Sequence, residues 1–456
     1  MRLRVTPGSS ITGAVRVPGD KSISHRWLIL ASTARGASRL VGVPASLDVR
    51  STARCMATVT PPARPALEAW ATNAAVFVED GGSTWNCDPL RRALPALEVE
   101  GEGRDGLIEP TGPLECGNSG TTMRLLMGLL SSLPFASALT GDASLALRPM
   151  ERVAEPLRRM GADVRTSDGR PPVTVRGSSL AGIDFTSPVP SAQVKSAVLL
   201  AGVAASGVTT VREPLPTRDH TERALQALGV PIDLRTGTAS VRRFQHEGFA
   251  GSVPGDPSTA AFLVAAAALT GSPLEIHGLA LNPTRTHFLE VLGRMGVRTE
   301  SRIEDHQLGE PVGGLFVAPC DGLTPVRVEP HELPLVVDEV PVLAAIAAHA
   351  PGESWFLGAE ELRLKESDRL QAIAAGIREL GGHAADEGMD LVVAGGGLEG
   401  GRTDARGDHR IALSLAVAAL AARAPCEIDG FESADVSFPG AAGVIRELGG
   451  RVEVTG

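Results

Sequence analysis

Six short stretches of the sequence place cations, carboxylates, hydroxyls or glycines at the start of an apolar run. They are KSISHR (21–26), GNSGTTMR (117–124), SAQVKS (191–196), GDPSTAAF (255–262), VVDEVP (336–341) and GDHR (407–410). Lysine and arginine bind phosphate and carboxylate groups, and a helix N-terminus adds unpaired N–H groups and about +0.5 of an elementary charge. Any one stretch is equally well explained as a capped, solvated helix start. Their recurrence at equivalent positions predicts one site that holds anions away from water.

The apolar runs that follow predict six buried helices. Each run is rich in Ala and Leu and is apolar all round, which is typical of a buried helix: 24–36, 122–134, 194–206, 259–270, 336–349 and 410–424. Amphipathic segments alternate with them, and five end in Leu or Met followed by Gly at positions 161, 229, 296, 381 and 449. The recurrence of these glycines along the chain indicates a repeated supersecondary unit. The copy expected near residue 58 is eroded, and we interpret 57–105 as an insertion.

Together these segments predict an α/β protein built from six βαβ-type units in two domains. The sequence VPGDKS at 17–22 returns as VPGDPS at 253–258, and both are turn signals that lead into a helix. We interpret them as the two crossings between domains. One domain would then comprise 1–18 plus 253–456, and the other 19–252, with three units each.

Composition excludes several functional classes. The 456 residues include 43 Lys and Arg against 53 Asp and Glu, a net charge of −10, which argues against a nucleic-acid or membrane-surface partner. The five cysteines are widely spaced and form no C-x-x-C motif, so neither a disulfide framework nor a zinc site is expected. The sequence shows no signal-peptide pattern and no membrane-spanning run. We therefore expect a cytoplasmic protein.

Eight motifs occur in order from about residue 5 to 440, leaving out roughly 57–105: PGDKSISHR, CGNSGTTMR, SLALRPMERV, SAQVKSAVLLAG, TRDHTER, DEVPVLA, LRLKESDRL and GDHRIALSLAV. Together they resemble the EPSP synthases, the enolpyruvyl transferases that act on shikimate 3-phosphate. The resemblance implies a two-domain inside-out α/β barrel of six βαβαββ repeats, with the N-termini of the buried helices facing the interdomain cleft. It also implies transfer of the enolpyruvyl group of phosphoenolpyruvate to the 5-hydroxyl of shikimate 3-phosphate, which releases phosphate during aromatic amino-acid biosynthesis. No cofactor and no metal are implied, and a monomer without nucleic-acid or membrane partners is expected.

The resemblance also assigns the site residues. Shikimate 3-phosphate would contact Lys21, Ser22, Arg26, Ser191, Ala192, Gln193, Arg218, Asp338 and Lys365. Phosphoenolpyruvate would contact Lys21, Gly120, Arg124, Arg148, Gln193, Arg369 and Arg410. Asp338 would be the base toward the hydroxyl, Glu366 the acid toward carbon, and Lys21 a third catalytic residue. Gly120 leaves room for glyphosate, so inhibition by this compound is expected.

The sequence departs from the family pattern at several places. DVSFPGAAG (435–443) has no Lys before its Phe-Pro pair, only Asp48 corresponds to an acidic pair after the first helix, and Glu361 replaces an amide. These departures leave open an enolpyruvyl transferase with a different phosphorylated cyclic acceptor. The alternative from another class is a non-catalytic anion-binding homologue. It is disfavoured because Asp338, Glu366 and Arg369 are all present.

Overall fold

Each of the six apolar runs contains a buried helix in the computed structural model, which describes residues 1–79 and 96–456. These buried helices begin a few residues away from the start of the run, because the polar residue before each helix, and not the first apolar residue, sets its start. The helices are α1 (Lys21–Ser32), α2 (Leu47–Val59), α3 (Arg64–Glu79), α4 (Gly120–Leu130), α5 (Glu151–Arg159), α6 (Ala192–Gly202), α7 (His220–Ala227), α8 (Pro257–Leu269), α9 (Pro283–Arg294), α10 (Leu333–Val336), α11 (Val340–Ala347), α12 (Arg369–Glu379), α13 (His409–Ala419) and α14 (Ala441–Glu447).

The strands are short and lie between these helices in the chain. They are β1 (Arg2–Thr6), β2 (Gly13–Arg16), β3 (Arg35–Val41), β4 (Leu97–Glu102), β5 (Leu114–Glu115), β6 (Ala136–Thr140), β7 (Asp163–Ser167), β8 (Arg170–Arg176), β9 (Asp184–Thr186), β10 (Val208–Arg212), β11 (Ile232–Arg235), β12 (Thr238–Arg242), β13 (Ala250–Ser252), β14 (Leu274–Ala280), β15 (Thr299–Gln307), β16 (Glu310–Val317), β17 (Arg327–Val328), β18 (Glu353–Phe356), β19 (His383–Glu387), β20 (Asp390–Ala394), β21 (Gly401–Asp404), β22 (Cys426–Asp429) and β23 (Arg451–Thr455).

Within the described residues these strands form six small sheets, each combining one parallel pair with antiparallel pairing. The sheets are β21-β22-β1-β23, β11-β12-β10-β9, β13-β3-β4, β15-β16-β14-β2, β17-β18-β20-β19 and β5-β6-β8-β7. The last of these shows the repeated unit most simply. Its strands β5 and β6 are parallel and flank the buried helix α4, and the hairpin β7-β8 follows the amphipathic helix α5. The fold is therefore mixed α/β with a recurring β-α-β-α-β-β order.

Apolar side chains form two separate core clusters. One draws on residues 3–17 and 260–452, and the other on residues 23–253 with Ala280. Helices α8, α11 and α13 supply the centre of the first cluster, and α1, α4 and α6 that of the second. The division of the chain into two domains at these boundaries stays a prediction.

The amphipathic helices end as the repeated glycine motif predicts. Helices α5, α7, α9, α12 and α14 each end shortly before one of the five motif glycines, and all five glycines have positive φ. A side-chain-free residue is favoured there because other residues rarely adopt this conformation. The eroded sixth copy also forms a helix, α2, which ends at Val59 and is followed by Thr60 where the other copies have their Leu or Met and Gly.

The stretch 57–105 contributes to the core at both ends. Leu67 on α3 is buried, and β4 pairs antiparallel with β3 and buries Leu97 and Val99. The described parts of the predicted insertion therefore belong to the core. Residues 80–95 of this stretch lie outside the described residues.

The two VPGD segments pair with each other, which places the crossings side by side. Asp20 N donates to Pro254 O at 2.7 Å, and Asp256 N donates to Pro18 O at 2.8 Å. Gly19 and Gly255 form an antiparallel bridge between these contacts. In the part of the chain that the structure describes, no helix is long and apolar enough to cross a membrane.

Candidate active site

The starts of all six buried helices contribute to one cleft. Lys21 and Gly120 begin α1 and α4, Ala192 begins α6, and Ser258, Asp338 and His409 lie at the starts of α8, α11 and α13. The cleft also brings together nearly every residue that the sequence assigned to the site: Lys21, Ser22, Gly120, Arg124, Arg148, Ser191, Ala192, Gln193, Arg218, Asp338, Lys365, Glu366, Arg369 and Arg410.

Capping side chains explain why the polar residues lie at these helix starts. Asp20 accepts from Ile23 N at 2.8 Å, Ser119 from Thr122 N at 3.1 Å, and Asp408 from Arg410 N at 2.9 Å. Ser191 and Asp256 cap α6 and α8 in the same way. A capping residue fixes the first turn, so the next residues present their backbone N–H groups and side chains to the cleft.

Arg369 links the two carboxylates proposed for proton transfer. Its Nη1 donates to Asp338 Oδ1 at 3.3 Å, its Nη2 donates to Glu366 Oε2, and its Nε donates to Asp408 Oδ2 at 2.8 Å. The side chain of Arg369 is 1% exposed. Burial lowers the pKa of Arg369, but the charges of Asp408, Glu366 and Asp338 outweigh it and raise that pKa above its usual value. This guanidinium therefore fixes how far apart the two carboxylates lie.

Both carboxylates are ionised in this arrangement. Burial by itself raises the pKa of Asp338, but Arg410, Arg218, Lys365 and Arg369 bring it well below its usual value. For Glu366, burial is likewise outweighed by Arg369 and then Arg148, and its pKa also falls well below normal. Arg410 Nη1 donates to Asp338 O at 2.7 Å, and Arg218 donates to Asp338 Oδ2.

Arg124, Arg148 and Arg152 also line the cleft, and Arg148 Nη1 lies 3.5 Å from Glu366 Oε1. Arg124 is buried and donates to Gln193 Oε1 and, at 3.2 Å, to Pro149 O. Burial, and then the charges of Arg152 and Arg148, lower the pKa of Arg124 to about 9. Like charges held this close in a buried site favour binding of an anion, which would relieve their repulsion.

Lys21 and Lys365 are paired with carboxylates in the cleft. Lys21 Nζ lies 2.8 Å from Asp48 Oδ2, and Lys365 Nζ lies 3.3 Å from Glu361 Oε1. Asp48 is the one residue that corresponds to the family's acidic pair after the first helix, and Glu361 is the residue that replaces an amide. Each of these carboxylates neutralises a lysine that a substrate anion would otherwise neutralise.

Arg26 is the one assigned residue that does not line the cleft. It is 3% exposed, and its guanidinium donates to Thr221 Oγ1, Ser22 O and Ser196 Oγ, each at 2.7 Å. In this arrangement the side chain of Arg26 does not face the cleft, and its hydrogen bonds stabilise the start of α1. Its contact with shikimate 3-phosphate stays a prediction.

Cations outnumber carboxylates around the cleft although the whole chain is acidic. The lining cations are Lys21, Arg124, Arg148, Arg152, Arg218, Arg285, Lys365, Arg369 and Arg410, and the lining carboxylates are Asp48, Asp256, Asp338, Glu361 and Glu366. Within residues 1–79 and 96–456, no group of three His, Cys, Asp or Glu is placed to hold a metal ion. The chemistry that this lining supports is the binding of two polyanions beside a pair of carboxylates.

The lining also includes residues to which sequence reasoning assigned no individual role, among them Arg152, Arg285, Ser258 and His409. Ser258 and His409 lie within the stretches GDPSTAAF and GDHR, and Arg152 lies in the motif SLALRPMERV at the first turn of α5, so the motifs themselves were the available signal. His409 is buried, and burial followed by the charge of Lys21 lowers its pKa to about 3, so it is neutral at neutral pH. No local signal in the sequence distinguishes Arg285 from a surface arginine.

Comparison with known proteins agrees with this geometry. A family model described as EPSP synthase (3-phosphoshikimate 1-carboxyvinyltransferase) matches residues 5–62 and 93–445. Proteins named 3-phosphoshikimate 1-carboxyvinyltransferase are similar over nearly the whole chain. The one from Halorhodospira halophila is 45% identical over 461 residues, 99% of this chain and 97% of its own. The one from Acidithiobacillus ferrooxidans is 43% identical over 457 residues, 99% of each chain.

Solved structures show the same similarity. The EPSP synthase from Acinetobacter baumannii superposes with a TM-score of 0.83 at 35% identity and covers 100% of both chains. The enolpyruvyl transferase NikO from Streptomyces tendae superposes with a TM-score of 0.75 at 20% identity, covering 100% of this chain and 98% of its own. At that identity the second likeness concerns the fold alone.

Proposed function

The chain belongs to the EPSP synthase family, and on that premise we propose that its cleft transfers the enolpyruvyl group of phosphoenolpyruvate to the 5-hydroxyl of shikimate 3-phosphate. One observation carries the proposal: the starts of six buried helices meet around Asp338 and Glu366, which are bridged by Arg369. The lining suits two polyanions and needs no further reactive group.

The substrates divide between the two sides of the cleft. Arg218, Lys21 and Lys365, with Ser22 and the Ser191-Ala192-Gln193 turn, bind shikimate 3-phosphate, because guanidinium and hydroxyl donors suit a phosphate and ring hydroxyls. Phosphoenolpyruvate is bound by Arg124, Arg148, Arg369 and Arg410, by the backbone at Gly120, and by Lys21, which contacts both substrates. Gln193, which donates to Thr121 Oγ1 at 2.8 Å and accepts from Arg124, lies between the two substrates.

The reaction proceeds by addition and elimination. The 5-hydroxyl oxygen forms a bond to C2 of phosphoenolpyruvate while its proton passes to Asp338 and the methylene C3 gains a proton from Glu366. In the tetrahedral intermediate the bond from C2 to the phosphate oxygen then breaks. Phosphate leaves among the arginines and takes up the proton that Asp338 received from the hydroxyl, and the C3 methyl group returns a proton to Glu366, so both carboxylates regain their starting states. Fixed cations stabilise the charge that develops on the departing phosphate.

Glu366 must hold a proton to act as the acid, whereas without ligand its pKa is well below normal. The largest opposing charges are Arg369 and Arg148, both assigned to phosphoenolpyruvate. When the substrate anion binds these arginines, their effect on Glu366 falls and its pKa rises. Substrate binding itself therefore prepares the acid.

The finer architecture and location form part of the same proposal. The six units close as an inside-out α/β barrel in two domains, 1–18 plus 253–456 and 19–252, with the cleft between them. The described cysteines are unpaired thiols, Cys55, Cys116, Cys320 and Cys426, which supports a reducing cytoplasm.

Phosphate release tests the proposal directly. Purified protein mixed with phosphoenolpyruvate and shikimate 3-phosphate is expected to release phosphate and to form the enolpyruvyl ether, detected by mass spectrometry. Shikimate without its phosphate is the matched control, and its rate is expected to be at least about 10²-fold lower because Arg218 and Lys21 lose a charged partner. Equal rates for the two acceptors, or no phosphate release with either, would refute the assigned acceptor.

A further inference from the structure

The first turn of α9 packs against both crossings between the predicted domains. This turn has the sequence Asn282-Pro283-Thr284-Arg285. Asn282 Nδ2 donates to Asp219 Oδ1 at 2.7 Å and to Glu310 Oε2 at 2.8 Å, so the turn contacts residues from both of the predicted domains. The side chain of Arg285 is 3% exposed and points toward the crossings.

The guanidinium group of Arg285 lies against two buried aspartates. Its Nη2 donates to Asp256 Oδ1 at 3.0 Å and to Ser258 Oγ at 2.7 Å, and lies 3.6 Å from Asp20 Oδ2. Asp20 Oδ2 is buried and has no hydrogen-bond partner among the described residues. The guanidinium group is thus the cation nearest to both carboxylates.

Both aspartates set the starts of helices that line the cleft. Asp20 Oδ1 caps α1 through Ile23 N, and Asp256 Oδ1 caps α8 through Ser258 N at 2.9 Å. Helix α1 begins with Lys21 and Ser22. A cation that holds the two caps together therefore fixes where Lys21 lies relative to the start of α8.

From α8 the contacts continue to the proposed catalytic base. Ser258 Oγ donates to Glu339 Oε1 at 2.5 Å, and Arg410 Nη2 lies 3.3 Å from Ser258 Oγ. Arg410 Nη1 in turn donates to Asp338 O. A continuous set of buried polar contacts therefore joins Arg285 to Asp338.

We propose that Arg285 is a positioning residue for the transfer reaction: by joining Asp20 to Asp256, it holds Lys21 in register with Asp338. The proposal rests on the proposed function for its kinetic readout. Arg285 does not need to touch either substrate, since its partners are the caps that place the substrate-binding residues.

The electrostatics of the two aspartates provide a readout that a purely structural arginine would lack. Burial raises the pKa of Asp20, but Arg285, His220, the Ile23 N–H and Arg218 together lower it to about 2. Burial and then the charge of Asp20 raise the pKa of Asp256 to about 6. The charged and titratable groups that face the pair are Arg285, Arg218, His220, Arg410, Asp338 and Glu339, together with His25 and Arg26 on α1. Without Arg285, one of the two carboxylates would take up a proton as the pH falls, because a proton would replace the lost cation.

Arg285→Met tests this dependence on charge. At pH 8 its kcat is expected to fall about 10- to 100-fold, as for a displacement of the reacting groups by about 1 Å, and the loss is expected to shrink toward pH 6. Adding Asp256→Asn removes the opposing charge and keeps a side-chain oxygen that can cap α8. The double variant is expected to recover at least about fivefold of the lost kcat at pH 8. Arg302→Met, on the exposed strand β15, is the matched control and should behave as the unmodified protein.

The outcomes separate charge from packing. A kcat for Arg285→Met within twofold of the unmodified protein, or no recovery in the double variant, would overturn the proposal. If Arg285→Met does not fold, a folded and active double variant supports it and an unfolded one overturns it. Arg285→Lys keeps the charge and should show a pH profile like that of the unmodified protein.

Failure of the proposed function is recognised separately. If the unmodified protein releases no phosphate, binding of shikimate 3-phosphate is measured by calorimetry at pH 8. In that case the Kd is expected to rise at least about tenfold in Arg285→Met and to recover in the double variant, because Lys21 is displaced and then restored. An unchanged Kd in Arg285→Met would overturn the proposal.

Discussion

Replacing Gly120 with Ala should weaken phosphoenolpyruvate binding by displacing one guanidinium group. A Cβ at this position would lie 2.9 Å from Arg124 Nη1 and 3.4 Å from Arg148 Nη1, whereas ordinary contacts begin at 3.4 Å. Arg124 Nη1 must therefore move by about 0.5 Å. Because a side-chain end moves and no backbone atom obstructs the Cβ, the fold is expected to accommodate the change.

The expected size of the effect follows from the hydrogen bond at risk. A hydrogen bond to a charged group contributes about 1.5–3 kcal/mol, and a shift of this size should remove about half of it. The KM for phosphoenolpyruvate should rise about three- to twelvefold, since 1.4 kcal/mol corresponds to about a factor of ten. The KM for shikimate 3-phosphate should change by less than about twofold, because its assigned cations do not contact the new methyl group.

Steady-state phosphate release, with each substrate varied at saturating levels of the other, measures both constants. Gly293→Ala is the matched control, because Gly293 lies on the exposed side of α9 and a Cβ there meets nothing within 4 Å. That control should keep both KM values. An unchanged KM for phosphoenolpyruvate in Gly120→Ala, or an equal rise for both substrates, would refute the assignment of this side of the cleft.

Four further results are expected. Asp338→Asn and Glu366→Gln should each lower kcat at least about tenfold with the circular dichroism spectrum unchanged, and near-normal turnover would exclude their proton-transfer roles. Arg26→Met should lower the free energy of unfolding by about 1–3 kcal/mol in urea, because Thr221, Ser196 and a backbone carbonyl lose a buried donor. The pKa of Glu366 is depressed in the folded protein, so the stability contributed by its ionised carboxylate is complete above the unfolded pKa and is lost as pH falls through the folded pKa. The temperature of thermal unfolding below pH 4 should therefore depend less on pH in Glu366→Gln than in the unmodified protein. Parallel curves of that temperature against pH would contradict this. Glyphosate should inhibit the unmodified protein, and a rate unaffected at millimolar glyphosate would contradict the space inferred at Gly120.

Local patterns predicted the elements and most of the cleft because the relevant physics is local. A helix that is apolar all round must be buried, and a polar cluster before it must lie at its start, so Lys21 and Arg410 could be assigned to helix starts without knowing their partners. The motif glycines marked helix ends for the same reason. The helix α2 was harder to recognise because it ends at Val59 without the glycine signal.

The remaining features depend on contacts that no window of sequence contains. The residues next to Arg26 and Arg285 in the sequence do not distinguish these arginines from surface arginines. Both side chains are nevertheless buried, because their partners are far away in the chain. Arg26 meets Ser196 and Thr221, and Arg285 meets Asp20. Only the packing of one helix start against another brings these groups together, so a sequence pattern cannot distinguish a ligand-binding arginine from a supporting one.

The ion pairs in the cleft explain how a site with this much positive charge stays folded without its substrates. Arg218 and Arg369 contact Asp338, Lys21 contacts Asp48, and Arg369 also contacts Glu366, so the protein's own carboxylates neutralise cations that substrate anions would otherwise occupy. When two polyanions bind, they must replace these carboxylates as partners of the cations. A guanidinium group that binds a phosphate no longer stabilises the ionised carboxylate. On the proposed mechanism, this exchange raises the pKa of Asp338 and Glu366 in the substrate complex, where each of them must carry a proton. Proton uptake should therefore accompany substrate binding. It can be measured as a dependence of the calorimetric binding enthalpy on the ionisation enthalpy of the buffer, and binding without proton uptake at pH 7 would contradict this account.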